Sequence, residues 1–241
     1  VILVLAVTAA ELTELEDARR ADHGQPPQAE RAAVALEARS SLRARGLLDA
    51  AGRLQVDDSD ESLLLTTVLD VRLTATRTLV VERVVAPEPG QDAAGQGFVR
   101  GVRLVHLLDR EEGAVVEDLL EGDVRHLWIA PDREQLLDAV TSVTVPSSAL
   151  AGQGPPRRVP ATDPTLLAAS LDHPTCLAEL TVVEGGEPVA GELLALGPRG
   201  CWSTGIDRSE APPAVLEYRP VPPGHVAAWV ARAARQGTMT R

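Results

Sequence analysis

The sequence predicts an α+β fold in which two similar strand-and-helix halves share one sheet. Three observations carry this expectation. Helix signals gather at the N-terminal end, ahead of a long strand-rich stretch. That stretch is punctuated by hairpin turns, as at Glu121-Gly122-Asp123 and Glu184-Gly185-Gly186-Glu187, so neighbouring strands run antiparallel. Finally, residues 124–143 align without a gap on residues 215–234, with Val124 meeting Val215 and Pro131 meeting Pro222. Each copy reads as strand, proline, helix.

Taken in order, residues 1–7 (VILVLAV) are an apolar run too short to span a bilayer and without a basic flank, so they read as a buried strand. Thr8-Ala9-Ala10-Glu11 has the capping-box pattern and starts a helix to about Asp22, broken by Gly24, Pro26 and Pro27. The next helix covers residues 28–45. Val34, Ala35, Ala38 and Leu42 share one face, and Gly46 sits where a C-terminal stop belongs. Residues 49–53 form a turn and 54–56 a short strand. Asp58-Ser59-Asp60-Glu61 starts another helix. In residues 63–78 the leucines favour helix and the threonines and valines favour strand, which predicts helix to about Asp70 and extended chain after it.

Strands follow at 79–85, 98–108, 114–120 and 124–129, with a loop at 88–96 (EPGQDAAGQ). Pro131 opens a helix ending near Ser142. Residues 146–164 hold five prolines and two glycines and read as a linker or long crossing loop. A short helix at 165–171 precedes strands at 176–183, 189–196, 201–204 and 214–219. Pro222 and Pro223 then introduce a final helix to about Arg235. The expected organisation is one domain over residues 1–241, with halves at about 1–146 and 164–241 joined by the proline-rich segment.

Composition excludes several function classes. The chain contains no lysine, so a Schiff-base lysine and a phosphate-loop lysine are both impossible. Net charge is -12, and the arginines form pairs (Arg19/Arg20, Arg157/Arg158) rather than a basic patch, which disfavours nucleic acid. No apolar run is long enough for a membrane helix. Aromatic residues make up only 2% of the chain, so alanine, valine and leucine must fill the core. The two cysteines, Cys176 and Cys201, fall in predicted strands and read as small buried residues, with one bridge between adjacent strands as the alternative.

No catalytic constellation emerges. His173-Pro174-Thr175-Cys176 lacks a third group to orient a base, and it cannot complete a zinc site. His23, His106, His126 and His225 share no metal-binding spacing, and no GxSxG serine motif occurs. Gly95-Gln96-Gly97 and Gly152-Gln153-Gly154 lack the strand, third glycine and helix of a dinucleotide site. Asp109, Glu111 and Glu112 cluster at a turn, with Glu117 and Asp118 on the next strand, and this group reads as solvated. The expectation is a binding protein with no enzyme activity, no cofactor and no metal. Trp128, Trp202 and Trp229 read as packing residues, and Phe98, beside the glycine-rich loop, as a contact residue.

The helix ending in SLRARGLLDAAGRLQV (41–56), followed by an acid-capped helix, resembles the EspG family, cytosolic chaperones of type VII (ESX) secretion in actinobacteria. So does the C-terminal passage Tyr218-Arg219-Pro220-Val221-Pro222 leading into the helix from His225. The resemblance implies a quasi-two-fold α+β fold, with a central largely antiparallel sheet and flanking helices. It implies a cytoplasmic protein that binds a helical secretion substrate, PE/PPE-like or WXG100-like, and keeps it soluble. In that family the sheet, a loop between its strands and the C-terminal helices meet the cargo. By position this points to Gln91, Gln96 and Phe98 in the loop and Trp229 in the last helix. The competing reading is a winged-helix DNA-binding regulator built on residues 30–56, with Arg39, Arg43 and Arg45 facing the groove.

Overall fold

In a computed structural model describing residues 4–26, 32–86, 99–108, 113–161, 164–207 and 213–235, strand β1 (Leu5–Thr8) runs directly into helix α1 (Ala9–Asp22). The capping box at that junction forms. The Thr8 hydroxyl accepts from the Glu11 N–H at 3.1 Å, and the Glu11 carboxylate accepts from the Thr8 N–H at 2.8 Å. Helix α2 (Ala32–Ala44) ends as Gly46 takes a left-handed φ of 73°, which lets the Leu47 N–H donate to the Leu42 carbonyl at 2.9 Å. That turn drops Leu48 into the core beside Leu42.

Two expectations change here. Residues 54–56 form no strand, since Leu54 makes only an isolated bridge with Leu48. Helix α3 (Asp60–Thr74) continues past Asp70, where extended chain was expected. Leu64, Leu65, Val68, Leu69 and Val71 are buried at helical spacing. The Thr66 and Thr74 hydroxyls bond back to carbonyls four residues earlier. Burial of an apolar face outweighs the strand preference of the threonines and valines.

The remaining strands are β2 (Arg77–Val85), β3 (Val99–Leu107), β4 (Ala114–Leu119), β5 (Val124–Ala130), β6 (Arg157–Pro160), β7 (Cys176–Glu184), β8 (Glu187–Gly197), β9 (Gly200–Ile206) and β10 (Val215–Val221). Among the described residues all ten strands join one sheet in the order β1-β5-β4-β3-β2-β7-β8-β9-β10-β6, every pair antiparallel. Outward from the β2–β7 pair the order is the same on both sides: four meandering strands, then a short edge strand. Val81 pairs with Leu180 at the middle of that ladder. This is the quasi-two-fold arrangement, and β5 and β10, which the sequence alignment superposes, occupy equivalent places. Each leads into a helix on the same face of the sheet, α4 (Arg133–Thr144) and α6 (His225–Arg235).

The prolines before these helices mark strand ends rather than first helical residues. Asp132 is the N-cap of α4, its carboxylate accepting from the Gln135 N–H at 2.8 Å, and α6 begins only at His225. The proline-rich segment is not a free linker. The Leu150 N–H donates to Gly197 O and the Gly152 N–H to Val221 O, and residues 157–160 form β6 against β10. An edge strand pairs on one side only, which tolerates Pro160 at its end. Helix α5 (Pro164–Ser170) then packs on β6.

Side chains alternate between the two faces with period two. Val116 faces α4 and α6, in a core with Leu79, Val81, Leu180, Val226 and Trp229. Val115 faces the other way, under α1 to α3, in a core with Leu15, Leu42, Leu69 and Leu127. Following the ladders across, Ala195 and Trp202 also lie on that second face, in a smaller core with Val159, Leu171, Leu216 and Tyr218.

Candidate docking face

On the second face the helices cover the two ends of the sheet and leave its middle half-exposed. Helices α1 to α3 sit over β1, β5 and β4, and the α5 core sits over β8, β9, β10 and β6. Between them Val80, Glu82 and Val84 of β2, Val102 and Leu104 of β3, and Leu177, Glu179 and Thr181 of β7 are all partly accessible. A groove of about 320 Å³ runs here, with Val84, Leu167, Leu177, Leu193 and Tyr218 among its walls. Glu82 and Glu179 stand directly opposite each other across the β2–β7 ladder. Like charges so placed repel, and Arg100 relieves the pair by bonding Glu82 at 2.7 Å. The result is a partly apolar trough with two carboxylates at its centre.

Where α3 meets β3, β4 and β5 on this face lies a buried polar network that was not legible in the sequence. Glu117 is 1% exposed, not solvated as expected for it together with Asp109, Glu111, Glu112 and Asp118. It accepts from Arg72 of α3 and lies 3.3 Å from Arg125 of β5; His106 Nε2 is 3.2 Å away. Arg72 also bonds Glu16 of α1 at 2.7 Å. The network therefore ties the helical layer to β3, β4 and β5. The available signal was the Glu117-Asp118 pair inside the apolar run of β4, where strand alternation sends one carboxylate to each face of the sheet and each, if buried, demands a partner.

Several carboxylates are held below their ordinary values. Burial alone would raise Glu117, but the His106 hydrogen bond and the charges of Arg72, His106 and Arg125 outweigh it. Glu11 behaves likewise: burial opposes, and the Ser41 hydroxyl, the Thr8 N–H and Arg45 prevail. Asp57 is held at about 2 by the Ser59 hydroxyl, then the Ser62 hydroxyl and the Ser59 N–H. A carboxylate whose folded value lies below its unfolded value stabilises the fold above the unfolded value, and that contribution is lost as pH falls through the folded one. Unfolding midpoints in urea should therefore hold level from pH 7 to near the ordinary glutamate value of 4.5, then fall progressively toward pH 2. A midpoint unchanged across that acid range contradicts the assignment.

The other sequence candidates resolve as follows. Gln91, Gln96 and Phe98 lie outside the described residues, and Val85 pairs with Val99 at the base of their connection. Trp229 sits on the inner side of α6, 9% exposed, in the core under the sheet. Cys176 and Cys201 are free and buried, and β8 separates their strands, so the adjacent-strand bridge is not built. Burial pushes the Cys176 thiol up to about 11, which leaves it no thiolate for His173 to serve. The arginines of the DNA-binding alternative are engaged internally. Arg39 pairs with Glu14, Arg43 bonds the carbonyls of Asp49 and Ala50, and Arg45 bonds Glu11 and the Ala6 carbonyl. No helix among the described residues is long and apolar enough to cross a membrane.

Against this geometry the comparisons with known proteins become informative. No protein-family model matches the chain, and no curated protein sequence does. Among solved structures the chain is similar to the Mycobacterium tuberculosis type VII secretion system chaperone EspG5, determined in complex with a PE25–PPE41 dimer. The match covers 95% of both chains with a TM-score of 0.54. The chain shares its fold with a secretion chaperone. Sequence identity is 11%, so the likeness is one of architecture, extending over nearly the whole of each chain.

Proposed function

We propose that this chain is an EspG-like cytoplasmic secretion chaperone, one domain built of two halves over residues 1–241, that binds a helical type VII substrate and keeps it soluble before export. The observation that carries the reading is the fold shared with EspG5 across 95% of both chains. The open trough supports it: a helical hairpin tip with an apolar surface would cover Val84, Leu177 and Leu193 and remove that surface from water. The contacts given to Gln91, Gln96 and Phe98 belong to the β2–β3 connection, which springs from the same end of the central strands. Trp229, being largely buried, contributes by anchoring α6.

Co-expression with neighbouring PE/PPE-like or WXG100-like proteins, followed by gel filtration, tests the proposal. A stable complex eluting ahead of either component is the expected result. Leu177→Arg places a charge in the trough and should weaken that complex by about tenfold or more, as loss of a central interface residue does, while leaving the circular dichroism spectrum intact. Failure to co-elute with any helical type VII substrate of the same organism removes the proposal.

A further inference from the structure

A second cavity, of about 360 Å³, opens on the opposite face of the sheet beside the C-terminal end of α4. Val81, Val99, Leu120 and Val143 give it apolar walls, and Arg83, Arg100, Arg103 and Asp118 supply charge, three positive groups to one negative. Val99 and Leu120 are 64% and 45% exposed, so the rim itself is an exposed apolar ring.

The guanidinium groups of Arg83 and Arg103 differ in kind. Arg103 is fully employed: it grips both oxygens of Asp118, donates to the Ala139 carbonyl and lies 5.8 Å from the Trp128 ring centroid. Among the described residues Arg83 donates only to the Val143 carbonyl, and no carboxylate bonds it directly. One such bond caps the end of α4 but leaves the charge uncompensated. Arg83 lies across Gly101, its partner on β3, where a Cβ would come within 2.8 Å of its Nε. The missing side chain at Gly101 leaves the room in which the Arg83 side chain lies. Burial, and then the proximity of Arg103, push the Arg83 guanidinium below its ordinary value, and Asp118 offsets this only in part. The one carboxylate lining the cavity, Asp118, is gripped by Arg103, so two guanidinium groups share a single negative charge and Arg83 is left without a direct partner. A half-buried cation so placed is costly, and the chain as a whole is acidic, so the feature stands against its surroundings.

We infer that this cavity is a binding site for an aliphatic carboxylate, with Arg83 taking the carboxylate and Val81, Val99, Leu120 and Val143 taking the apolar stem. A bare phosphate or sulfate would leave the walls uncovered, and a neutral apolar ligand would bury the charge unpaired. The same chemistry is presented by a free medium-chain acid and by the C-terminal carboxylate of an apolar peptide. This site lies on the far side of the sheet from the trough and does not depend on the chaperone reading.

The test uses the full chain, titrated by ligand-observed NMR with octanoate, with octanamide, and with an apolar tetrapeptide bearing either a free or an amidated C-terminus. Binding of one or both carboxylates, about tenfold or more above the matching amide, is expected from a charge-assisted bidentate contact. The tighter of the two names the natural source. Arg83→Gln should abolish that preference for carboxylate over amide. Leu120→Trp, made at the exposed rim with Arg83 intact, should block binding of both by filling the cavity. It keeps the test decisive where Arg83→Gln does not fold. Equal binding of acid and amide, undiminished binding in both variants, or no binding of either carboxylate overturns the assignment.

Discussion

Replacing Trp202 with alanine is expected to destabilise the fold by about 3–5 kcal/mol, the range for deleting a large buried aromatic side chain. Trp202 is 1% exposed and is the largest fully buried side chain among the described residues. It sits in the smallest of the three cores, where it and Tyr218 supply most of the bulk packed against Val159, Leu171, Ala195 and Leu216. The Arg157 guanidinium lies 3.9 Å from the ring centroid while bonding Ser170 O and Asp172, so the ring also fixes where β6 and α5 meet. Losing it empties a cavity and releases that edge together. Trp202→Phe should cost far less, about 1 kcal/mol, since ring packing largely survives and the buried indole N–H has no partner to lose. Urea unfolding followed by circular dichroism separates the two variants. A Trp202→Ala cost no larger than that of Trp202→Phe would show that this core does not hold the edge.

Arg72→Met should cost about 3 kcal/mol or more, because breaking a buried pair leaves the remaining charge without compensation. Arg72 reaches Glu117, Glu16 and His106 from α3. Without it Glu117 keeps only Arg125 at 3.3 Å and a histidine. The paired change Arg72→Met with Glu117→Gln should recover much of the loss, since it removes the stranded charge as well as its partner. A double-mutant cycle measures this directly. Strictly additive costs would mean the two side chains act independently. Hydrogen exchange offers a second reading: amides of α3 should exchange faster in Arg72→Met than those of the β2–β7 ladder, since the network joins the helical layer to the sheet.

The two predictions mark where sequence reading succeeded and where it fell short. The halves were legible because hairpin turns and alternating apolar residues are local signals, and because 124–143 and 215–234 repeat the same local pattern; β5 and β10 carry it at equivalent places in the sheet. The Thr8–Glu11 capping box and the Gly46 stop were legible for the same reason. By contrast, the end of α3, the strand β6 and the burial of Glu117 depend on what lies across the fold. Composition gave α3 two readings, and only burial against α1 and the sheet selects helix to Thr74. Prolines hid β6, whose pairing partner β10 is more than fifty residues away. The trough was not legible at all, because an uncovered sheet face is defined by where helices do not sit.

From its residues alone the chain determined most of its element types, its antiparallel hairpins, its repeated strand-to-helix unit and the lack of lysine chemistry. These follow from dihedral preferences, turn residues and period-two or helical spacing, each settled within a few residues of chain. Only the tertiary structure decided that β2 and β7 join the halves, that Arg72 and Glu117 meet, and that Arg83 and Arg103 share the single carboxylate of Asp118 at a partly apolar cavity. Those features arise from contacts between residues distant in sequence, where burial and charge are set by the partner and not by the local pattern.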